Sequence, residues 1–376
     1  MKIAINALQY KHNSSGIGVM IRDLFGAYCR GTQRRCQVVM PNNAPEFPGG
    51  AATEMLRIKA CYEQGFKRMW FQSFRLGKHC ENAVLLTTDS KIPFILPKSC
   101  LVMPLITDLA VYRLKETYKL SRVLWWRLQY WYLRRRADRF LAVSEFTKRD
   151  IIELLQVPAD KIDIVHCACG EYFKPVQNEE TLMAVRKKYN LPERLVLFVG
   201  NFNPRKNLER LMQAFDLLKE KADLPQHLVI AGEQGWKFDK KQALSGIKHS
   251  SEIHFCGFVA DADMPALYAA ADLFVFPTLY EGFGIPVLEA QSCGAPVLTS
   301  NVSSLPEVAG TGAVYVDPYS VESIAAGMQR VLTDKELAAQ LREAGLKNGK
   351  RFSWQQSAER LNEIIEREIA KRETVR

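Results

Sequence analysis

Residues 277–290, PTLYEGFGIPVLEA, carry the strongest structural signal in this chain of 376 residues. The apolar run Leu273–Phe276 just before them predicts a β-strand. A helix is expected to begin near Pro286, because proline is favoured in the first turn of a helix, and to end at Gly294. A strand that leads through a short turn into a helix is typical of parallel α/β sheets.

The turn combines two carboxylates with the backbone amides of a helix N-terminus. The amides around Phe283, Gly284 and Ile285 form an anion site that suits a pyrophosphate. Glu281 lies on the loop and Glu289 lies about one turn inside the helix. One carboxylate can accept hydrogen bonds from sugar hydroxyls and the other from ribose hydroxyls. For an isolated glutamate, the alternative is a solvated charge beside an ordinary strand, turn and helix.

Short apolar runs alternate with longer amphipathic ones along the chain, as in parallel α/β sheets. A chain of this length is expected to form two domains. The first half contains six predicted strands: Lys2–Asn6, Gln37–Met40, Ala83–Thr87, Leu101–Ile106, Arg139–Val143 and Asp163–Val165. The second half contains six more: Leu195–Val199, His227–Ala231, Ile253–Phe255, Leu273–Phe276, Pro296–Thr299 and Ala313–Val316.

These strands predict two Rossmann-like, doubly wound domains. The first covers residues 1–175, the second covers residues 176–353, and the join lies near Phe173–Pro175. Residues 354–376 are expected to form an amphipathic helix, because apolar residues recur there at helical spacing. This helix is expected to return to the first domain. Ligands of such sheets bind at their carboxyl edges, so a cleft between the two domains is the expected site.

The segment EGFGIPVLEA, followed by CGAPV, resembles the glutamate-x7-glutamate signature of the retaining GT-B glycosyltransferases. This family includes bacterial mannosyl-, glucosyl- and rhamnosyltransferases, and the resemblance covers essentially the whole chain. It implies a GT-B fold of two Rossmann-like domains that face a cleft. It also implies that Glu281 contacts the donor hexose and Glu289 the nucleotide ribose. The residues between them that would lie against the sugar and phosphates are Gly282, Phe283, Gly284 and Ile285.

A second motif, FVGNFNPRKNL at residues 198–208, places two cations after a strand. Asn203 is expected to cap a helix that Pro204 opens. Arg205 and Lys206 would then lie in its first turn, where cations oppose the helix dipole and a bound diphosphate would relieve the conflict. A solvated basic pair is the alternative. The family has an arginine and lysine phosphate clamp here, so the resemblance implies that these two cations hold the donor diphosphate.

Three weaker matches to the family also concern donor binding. Gly16 and Gly18, in SSGIGV, correspond to a glycine-rich loop near the donor phosphates. Ser144 corresponds to a residue that lines the cleft, although it can also simply cap the next helix. Val259, in GFV, corresponds to a loop whose backbone lies against the nucleotide base.

Asp108, in Thr107-Asp108-Leu109, resembles part of a histidine-aspartate-leucine motif whose residues face the reacting sugar. Here threonine replaces the histidine, which removes a potential proton donor or base. Asp108 is expected to orient an acceptor or donor hydroxyl, and helix capping is the alternative. The expected catalytic residues are Glu281, Asp108, Arg205 and Lys206.

The net charge of +10 comes entirely from the first half of the chain. Residues 1–175 hold 27 Lys and Arg against 15 Asp and Glu, and the other 201 residues hold 24 against 26. Residues 57–78 and 120–139 mix cations with aromatic side chains, which favours contact with an anionic membrane or a lipid diphosphate. No nucleic-acid-binding module accompanies the charge, so nucleic acid is not expected. The alternative for the second segment is that its aromatic face packs in the core: Trp125, Leu128 and Tyr132.

Other features point to a cytoplasmic protein. The nine cysteines have neither zinc-site nor redox spacing, and no metal site is expected. The first residues, MKIAINALQY, resemble a strand rather than a secretion signal, and no run of 18 apolar residues occurs. We therefore expect a cytoplasmic protein that is peripheral at the inner face of the cytoplasmic membrane.

The resemblance implies transfer of a hexose, with retention of configuration and without a metal or other cofactor. The donor is a nucleoside diphosphate sugar and the acceptor a glycan or lipid-linked glycan of surface polysaccharide assembly. Asp108-Leu109, together with AGEQGW at residues 231–236, most resembles relatives that use GDP-mannose. The alternatives are a UDP- or dTDP-sugar donor, a nucleotide-sugar epimerase, or a non-catalytic scaffold that binds glycan or membrane.

Overall fold

The computed structural model describes residues 1–11, 16–59, 65–89, 91–235 and 237–374, without the side chain of Phe66. Several positions named above therefore lie outside the described residues: Ser14, Ser15, residues 60–64, Trp236 and residues 375–376.

The chain divides into two units, Met1–Ala168 with Ser353–Arg376, and Cys169–Phe352. The division between them precedes the expected join because Phe173 is buried in the core of the second unit. Its ring meets Tyr268 there at 6.0 Å.

The described residues of the first unit form a seven-stranded parallel sheet in the order β3-β2-β1-β4-β5-β6-β7. The strands are β1 Lys2–Asn6, β2 Cys36–Pro41, β3 Thr53–Ile58, β4 Ala83–Thr88, β5 Leu101–Ile106, β6 Phe140–Ala142 and β7 Ile162–Ile164. Sequence periodicity missed β3. This strand lies at the edge of the sheet and is largely exposed, so it lacks the continuous apolar run of a buried parallel strand.

Helices cover the first sheet: α1 Ile17–Met20, α2 Gly26–Gly31, α3 Gly65–Phe74, α4 Ala110–Arg113, α5 Leu120–Arg136 and α6 Glu145–Leu155. A π-helical turn, Ile21–Phe25, joins α1 to α2. Three 3-10 turns complete this part: Leu76–His79, Lys115–Thr117 and Ala159–Lys161.

The second unit contains, within the described ranges, a six-stranded parallel sheet in the order β10-β9-β8-β11-β12-β13. Its strands are β8 Leu195–Val199, β9 His227–Ala231, β10 Ile253–Gly257, β11 Leu273–Phe276, β12 Val297–Ser300 and β13 Ala313–Val316. Its 3-10 turns are Pro204–Lys206, Ser250–Glu252 and Asp261–Asp263. Its helices are α7 Glu179–Lys188, α8 Leu208–Lys221, α9 Lys240–Leu244, α10 Met264–Ala269, α11 Ile285–Ser292, α12 Leu305–Ala309, α13 Val321–Thr333 and α14 Lys335–Gly349. The prediction of two doubly wound sheets is confirmed.

The last helix, α15 Trp354–Thr374, packs on the first unit. The Arg34 guanidinium donates to both carboxylate oxygens of Glu366, at 2.5 and 2.6 Å. Arg367 forms an ion pair with Asp163 of β7. These contacts tie α15 to the sheet beneath it. In the described ranges, every helix is too short or too polar to cross a membrane.

The strand orders identify where each sheet can bind a ligand. All strands are parallel, but the order in which the chain adds them to the sheet changes direction between β1 and β4 in the first unit and between β8 and β11 in the second. At such a reversal the loops from neighbouring strands diverge and leave a crevice at the carboxyl edge. In the second unit these loops are residues 200–207 and 277–284, which contain the two strongest motifs.

Candidate functional site

At the reversal point of the second sheet, one buried carboxylate is held between two cations. The Lys206 ammonium donates to Oε1 of Glu281 at 2.7 Å, and the Arg205 guanidinium donates to Oε2 at 3.0 Å. Glu281 is only 8% exposed. The two predicted motifs, about 75 residues apart in the chain, therefore form one cluster.

The cluster keeps Glu281 ionised. Burial by itself would raise the pKa of this carboxyl, because a charge is poorly solvated away from water. The positive charges of Arg205 and Lys206, and their hydrogen bonds, outweigh that effect and hold the pKa of Glu281 below its ordinary value. The side chain is therefore a hydrogen-bond acceptor at neutral pH.

The prediction that Arg205 and Lys206 lie in the first turn of a helix is wrong. Pro204–Lys206 form a separate 3-10 turn, and α8 begins only at Leu208. Asn207 has a left-handed conformation with φ of 61° between the two elements, which interrupts the helix. Asn203 makes no capping bond with its side chain. The conflict of the two cations with a helix dipole therefore does not arise, and Glu281 offsets their charge.

Asn207 anchors this turn to the neighbouring loops. Its Nδ2 donates to the carbonyls of Pro277 at 2.9 Å and Pro318 at 2.6 Å. The Lys206 ammonium also lies 4.6 Å from the centre of the Phe276 ring at the end of β11, a favourable cation–π distance. Both contacts fix the position of the turn beside β11.

Two serines that the motifs did not indicate support the Glu281 loop. Ser303 Oγ accepts a hydrogen bond from the Glu281 backbone amide at 3.1 Å. The fully buried hydroxyl of Ser304 lies within donating distance of the carbonyls of Glu281, at 3.0 Å, and Phe283, at 2.7 Å. A hydroxyl has one proton, so it bonds one carbonyl at a time or shares the proton between them. Sequence reasoning missed this pair because the contacts span more than twenty residues.

The helix predicted after the loop is confirmed, and it begins at Ile285, one residue before Pro286. Gly284 precedes it with φ of 109°, a conformation that favours glycine. A Cβ at this position would also lie 2.7 Å from Cδ2 of Leu305. The glycine therefore permits the sharp entry into α11 at which the amides of the helix N-terminus are presented.

Glu289, on α11, is half-buried and accepts a hydrogen bond from the Tyr268 hydroxyl at 2.8 Å. Burial raises the pKa of Tyr268 well above its ordinary value, and the negative charge of Glu289 raises it further. The phenol is therefore a neutral donor at neutral pH. This bond orients the Glu289 carboxylate.

The remaining candidates in the second unit have structural partners. Phe283 is buried, and its ring meets Phe352 edge-on at 5.5 Å. Gly282 is also buried. Val259 is buried in the hydrophobic core, so only its backbone is suited to contact a nucleotide base.

Two glycine positions of the first unit surround the start of α1. Gly16 precedes the helix with φ of 55°, and Gly18 is buried within it. The π-helical turn Ile21–Phe25 follows at once. Such turns occur frequently at functional sites. The role of Gly16 and Gly18 in donor binding stays a prediction.

The polar candidates of the first unit have local roles. Thr107 donates through its hydroxyl and its amide to Asp89 Oδ1, at 2.7 and 2.9 Å. Asp108 Oδ1 accepts from the Ala110 amide at 3.0 Å, a local turn contact, but the residue at the cap of α4 is Leu109 rather than Asp108. Ser144 is fully buried, and its Oγ accepts from the Thr147 amide at 3.0 Å, which caps α6. Catalytic or donor-binding roles for Asp108 and Ser144 stay predictions.

Within the part of the chain that the structure describes, no three His, Cys, Asp or Glu side chains cluster in a way that would hold a metal ion.

Two models of glycosyltransferase families match different parts of the chain. Residues 183–348 match the model of glycosyl transferases group 1, and residues 102–169 match that of Glycosyltransferase Family 4. The O-antigen chain mannosyltransferase B of Escherichia coli is 39% identical over 220 residues, 58% of this chain and 58% of that protein. The serotype-specific mannosyltransferase WbdA of Escherichia coli is 36% identical over 228 residues, 59% of this chain and 28% of WbdA.

The matched regions span less than two thirds of these relatives' lengths. The fold has a fuller counterpart among solved structures. The sucrose-phosphate synthase of Thermosynechococcus elongatus has a TM-score of 0.76 at 19% identity, covering 98% of this chain and 99% of that chain. The two family models together match more than half of the chain, and the chain therefore belongs to the group 1 and family 4 glycosyltransferases with the GT-B fold.

Proposed function

We propose that this glycosyltransferase moves mannose from GDP-mannose to a hydroxyl of a glycan or lipid-linked glycan in surface polysaccharide assembly, with retention of configuration. The observation that carries the proposal is the buried Glu281 carboxylate between Arg205 and Lys206, at the reversal point of the second sheet. Two mannosyltransferase relatives favour mannose as the sugar.

In the proposed reaction, the bond between the anomeric carbon and the diphosphate oxygen breaks while an acceptor oxygen attacks from the same face. The acceptor proton passes to an oxygen of the leaving diphosphate. Negative charge accumulates on that diphosphate, and Arg205 and Lys206 offset it. A guanidinium carries five donors and an ammonium three, so the pair has enough donors to contact both Glu281 and a phosphate. We propose that this arrangement works without a metal ion or other cofactor.

Glu281 and Glu289 then position the two ends of the donor. The first accepts hydrogen bonds from hexose hydroxyls, and the second, oriented by Tyr268, accepts them from the ribose. Amides at the start of α11 contact the diphosphate between them. We also keep as proposals the substrate-binding roles of Gly16, Gly18, Asp108 and Ser144 in the first unit and of the Val259 backbone in the second.

The proposal is tested with the whole chain and a panel of donors. GDP-mannose, UDP-glucose and dTDP-rhamnose are each incubated with acceptor glycans, and released nucleotide is measured. NMR of the product reports the anomeric configuration. A donor at about 100 times its dissociation constant stabilises the folded protein by roughly 2.7 kcal/mol, so thermal unfolding ranks the nucleotides independently of turnover.

Each alternative has its own outcome. Turnover with a UDP- or dTDP-sugar alone would replace the proposed donor. Release of nucleotide and a free sugar that is epimerised at one carbon, without any acceptor, would indicate an epimerase. Glycan binding without turnover of any donor would indicate a scaffold, and an inverted anomeric centre would contradict the retaining mechanism.

A further inference from the structure

Helix α5 carries an apolar stripe that faces solvent. Four side chains spaced four, four and three residues apart share one face of the helix and are each more than half exposed: Leu120, Leu124, Leu128 and Trp131. The opposite face is buried through Val123, Tyr130 and Leu133. The alternative that the aromatic face packs in the core is therefore wrong for Trp125 and Leu128, which are exposed, and holds for Tyr132, which is partly buried against the core.

Helix α3 extends this apolar surface, although about fifty residues separate the two helices in the chain. The Phe94 ring lies 5.9 Å from that of Phe74 and 5.4 Å from that of Tyr132. The Phe94 amide donates to the Ser73 carbonyl at 2.9 Å, and the Tyr132 hydroxyl donates to the Phe94 carbonyl at 2.9 Å. Trp70 and Phe74 of α3 are each 45% exposed. We call the exposed side chains of α3, residues 94–95 and α5 the apolar face.

Positive charge accompanies the apolar face. Residues 120–136 contain five arginines and no carboxylate, and residues 65–78 contain four Lys and Arg and no carboxylate. Of these arginines, Arg136 pairs with Asp138 just beyond α5, at 3.3 Å. The Arg135 guanidinium lies 3.8 Å from the centre of the Trp131 ring, and that of Arg75 lies 5.3 Å from the Trp70 ring. Cations and aromatic rings are thus presented together at the same surface.

The charge decides which partner fits. In a symmetric dimer through this face, two surfaces that both carry positive charge would face each other. An anionic bilayer instead attracts the cations, each by about 1 kcal/mol near the surface, while it accepts the apolar stripe at its headgroup boundary. We propose that the apolar face binds an anionic lipid bilayer, with α5 lying along the membrane surface.

This inference rests on the proposed function for its biological role, since it would hold the enzyme beside a lipid-linked acceptor. Leu124 and Leu128 belong to neither the donor site nor the hydrophobic core. Their substitution therefore separates membrane binding from sugar transfer.

The test measures binding of the whole chain to two kinds of vesicle. One contains phosphatidylethanolamine and phosphatidylglycerol, and the other contains phosphatidylcholine alone. We expect binding to the anionic vesicles only, and weaker binding as salt screens the cations. The double variant Leu124→Gln/Leu128→Gln should bind these vesicles at least about tenfold more weakly, because two side chains lose their apolar burial. The matched control is Met183→Gln, which alters a residue of α7 that is 61% exposed.

Unchanged vesicle binding of the double variant, equal binding to both kinds of vesicle, or no binding by the unaltered chain would overturn the proposal. So would a chain dimer that the double variant dissociates while vesicle binding persists. Thermal unfolding of the double variant should match that of the unaltered chain, and so should transfer to a short water-soluble acceptor. If the unaltered chain binds vesicles but transfers no sugar, the proposed function fails and the membrane inference stands.

Discussion

Each unit contains a buried carboxylate that is surrounded by cations. One carboxylate lies within a strand of its sheet, and the other lies on a loop beyond a strand end. Glu281 in the second unit pairs with Arg205 and Lys206. Asp163 in the first unit pairs with Arg139 and with Arg360 and Arg367 of α15. Burial opposes ionisation of both carboxyls, yet the neighbouring cations hold the pKa of each below its ordinary value.

The difference lies in what each carboxylate connects. Asp163 is the middle residue of β7, and its arginine partners on α15 attach that helix to the sheet. Glu281 lies on a loop beyond the end of β11, at the crevice where a ligand of such a sheet binds. A lowered pKa and an ion pair therefore do not by themselves indicate a functional site. The position of the carboxylate beyond the carboxyl end of a strand is what distinguishes Glu281 from Asp163.

The largest expected effect separates the two carboxylates by activity. We expect Glu281→Gln to lower kcat at least about 100-fold, because the donor sugar loses an ionised acceptor that positions it. It should also destabilise the protein by about 3 kcal/mol, since the buried Lys206 and the partly buried Arg205 lose their ionised partner. Steady-state kinetics on the folded fraction and denaturant unfolding measure these effects. Full activity of this variant would refute the assignment of Glu281.

Asp163→Asn should affect stability alone. Arg139 would lose its buried partner and α15 would lose an attachment, so we expect a destabilisation of about 3 kcal/mol. The kcat of the folded protein should not change. Denaturant unfolding and kinetics of the same preparation test this pair of expectations. A large fall in kcat without loss of stability would contradict the structural role.

Acid should remove the stability that both carboxylates provide. Their pKa values in the folded state lie below the ordinary values of 4.5 for Glu281 and 3.8 for Asp163. Their contributions are therefore complete above those ordinary values and disappear as pH falls through the folded-state values. The free energy difference between the unaltered chain and Asp163→Asn should be full at neutral pH and vanish in strong acid. A difference independent of pH would show that the aspartate charge is not responsible.

Ser304→Ala tests whether the Glu281 loop needs its support. The substitution leaves the carbonyls of Glu281 and Phe283 without a buried donor, at a cost of about 1–3 kcal/mol. We expect kcat/KM to fall roughly tenfold because the loop relaxes. The matched control is Ser300→Ala, since this buried hydroxyl bonds the Thr278 carbonyl instead. Equal losses of kcat/KM in both variants would contradict a specific role of Ser304 in supporting the Glu281 loop.

The smallest expected effect concerns the nucleotide end of the site. Tyr268→Phe removes the hydrogen bond that orients Glu289, worth about 1 kcal/mol. We expect KM for the nucleotide sugar to rise about fivefold at unchanged kcat, since ribose binding is remote from the reacting carbon. Tyr315→Phe removes a hydroxyl bonded to the Gly310 carbonyl and should leave KM unchanged. A change in kcat rather than KM would contradict the assignment of Glu289 to the ribose.

Much of the second unit was predictable from sequence because its signals are local. The strand before Glu281, the glycines of the turn and the proline at the start of α11 lie within twenty residues, and their order predicts strand, turn and helix. The turn at Arg205 was less predictable. Asparagine at position 207 tolerates a left-handed conformation, and tertiary bonds to two distant carbonyls stabilise it there.

The first unit shows where local patterns stop being informative. The edge strand β3 has no alternation to detect because three of its six residues are exposed and one is buried. Helix α5 has apolar residues around its whole circumference, so its pattern cannot show which ones face the sheet. The packing of α5 within the first unit decides which of them stay in solvent: Leu120, Leu124, Leu128 and Trp131.

The amino-acid sequence by itself determined the two parallel sheets, the helix after Glu281 and the chemical types of the site residues, because periodicity and turn chemistry act over a few neighbouring residues. The tertiary structure alone decided that Glu281 lies between Arg205 and Lys206, that Ser304 supports its loop, and that α5 exposes its apolar stripe. These arrangements depend on strand order, which brings distant loops to one edge of a sheet.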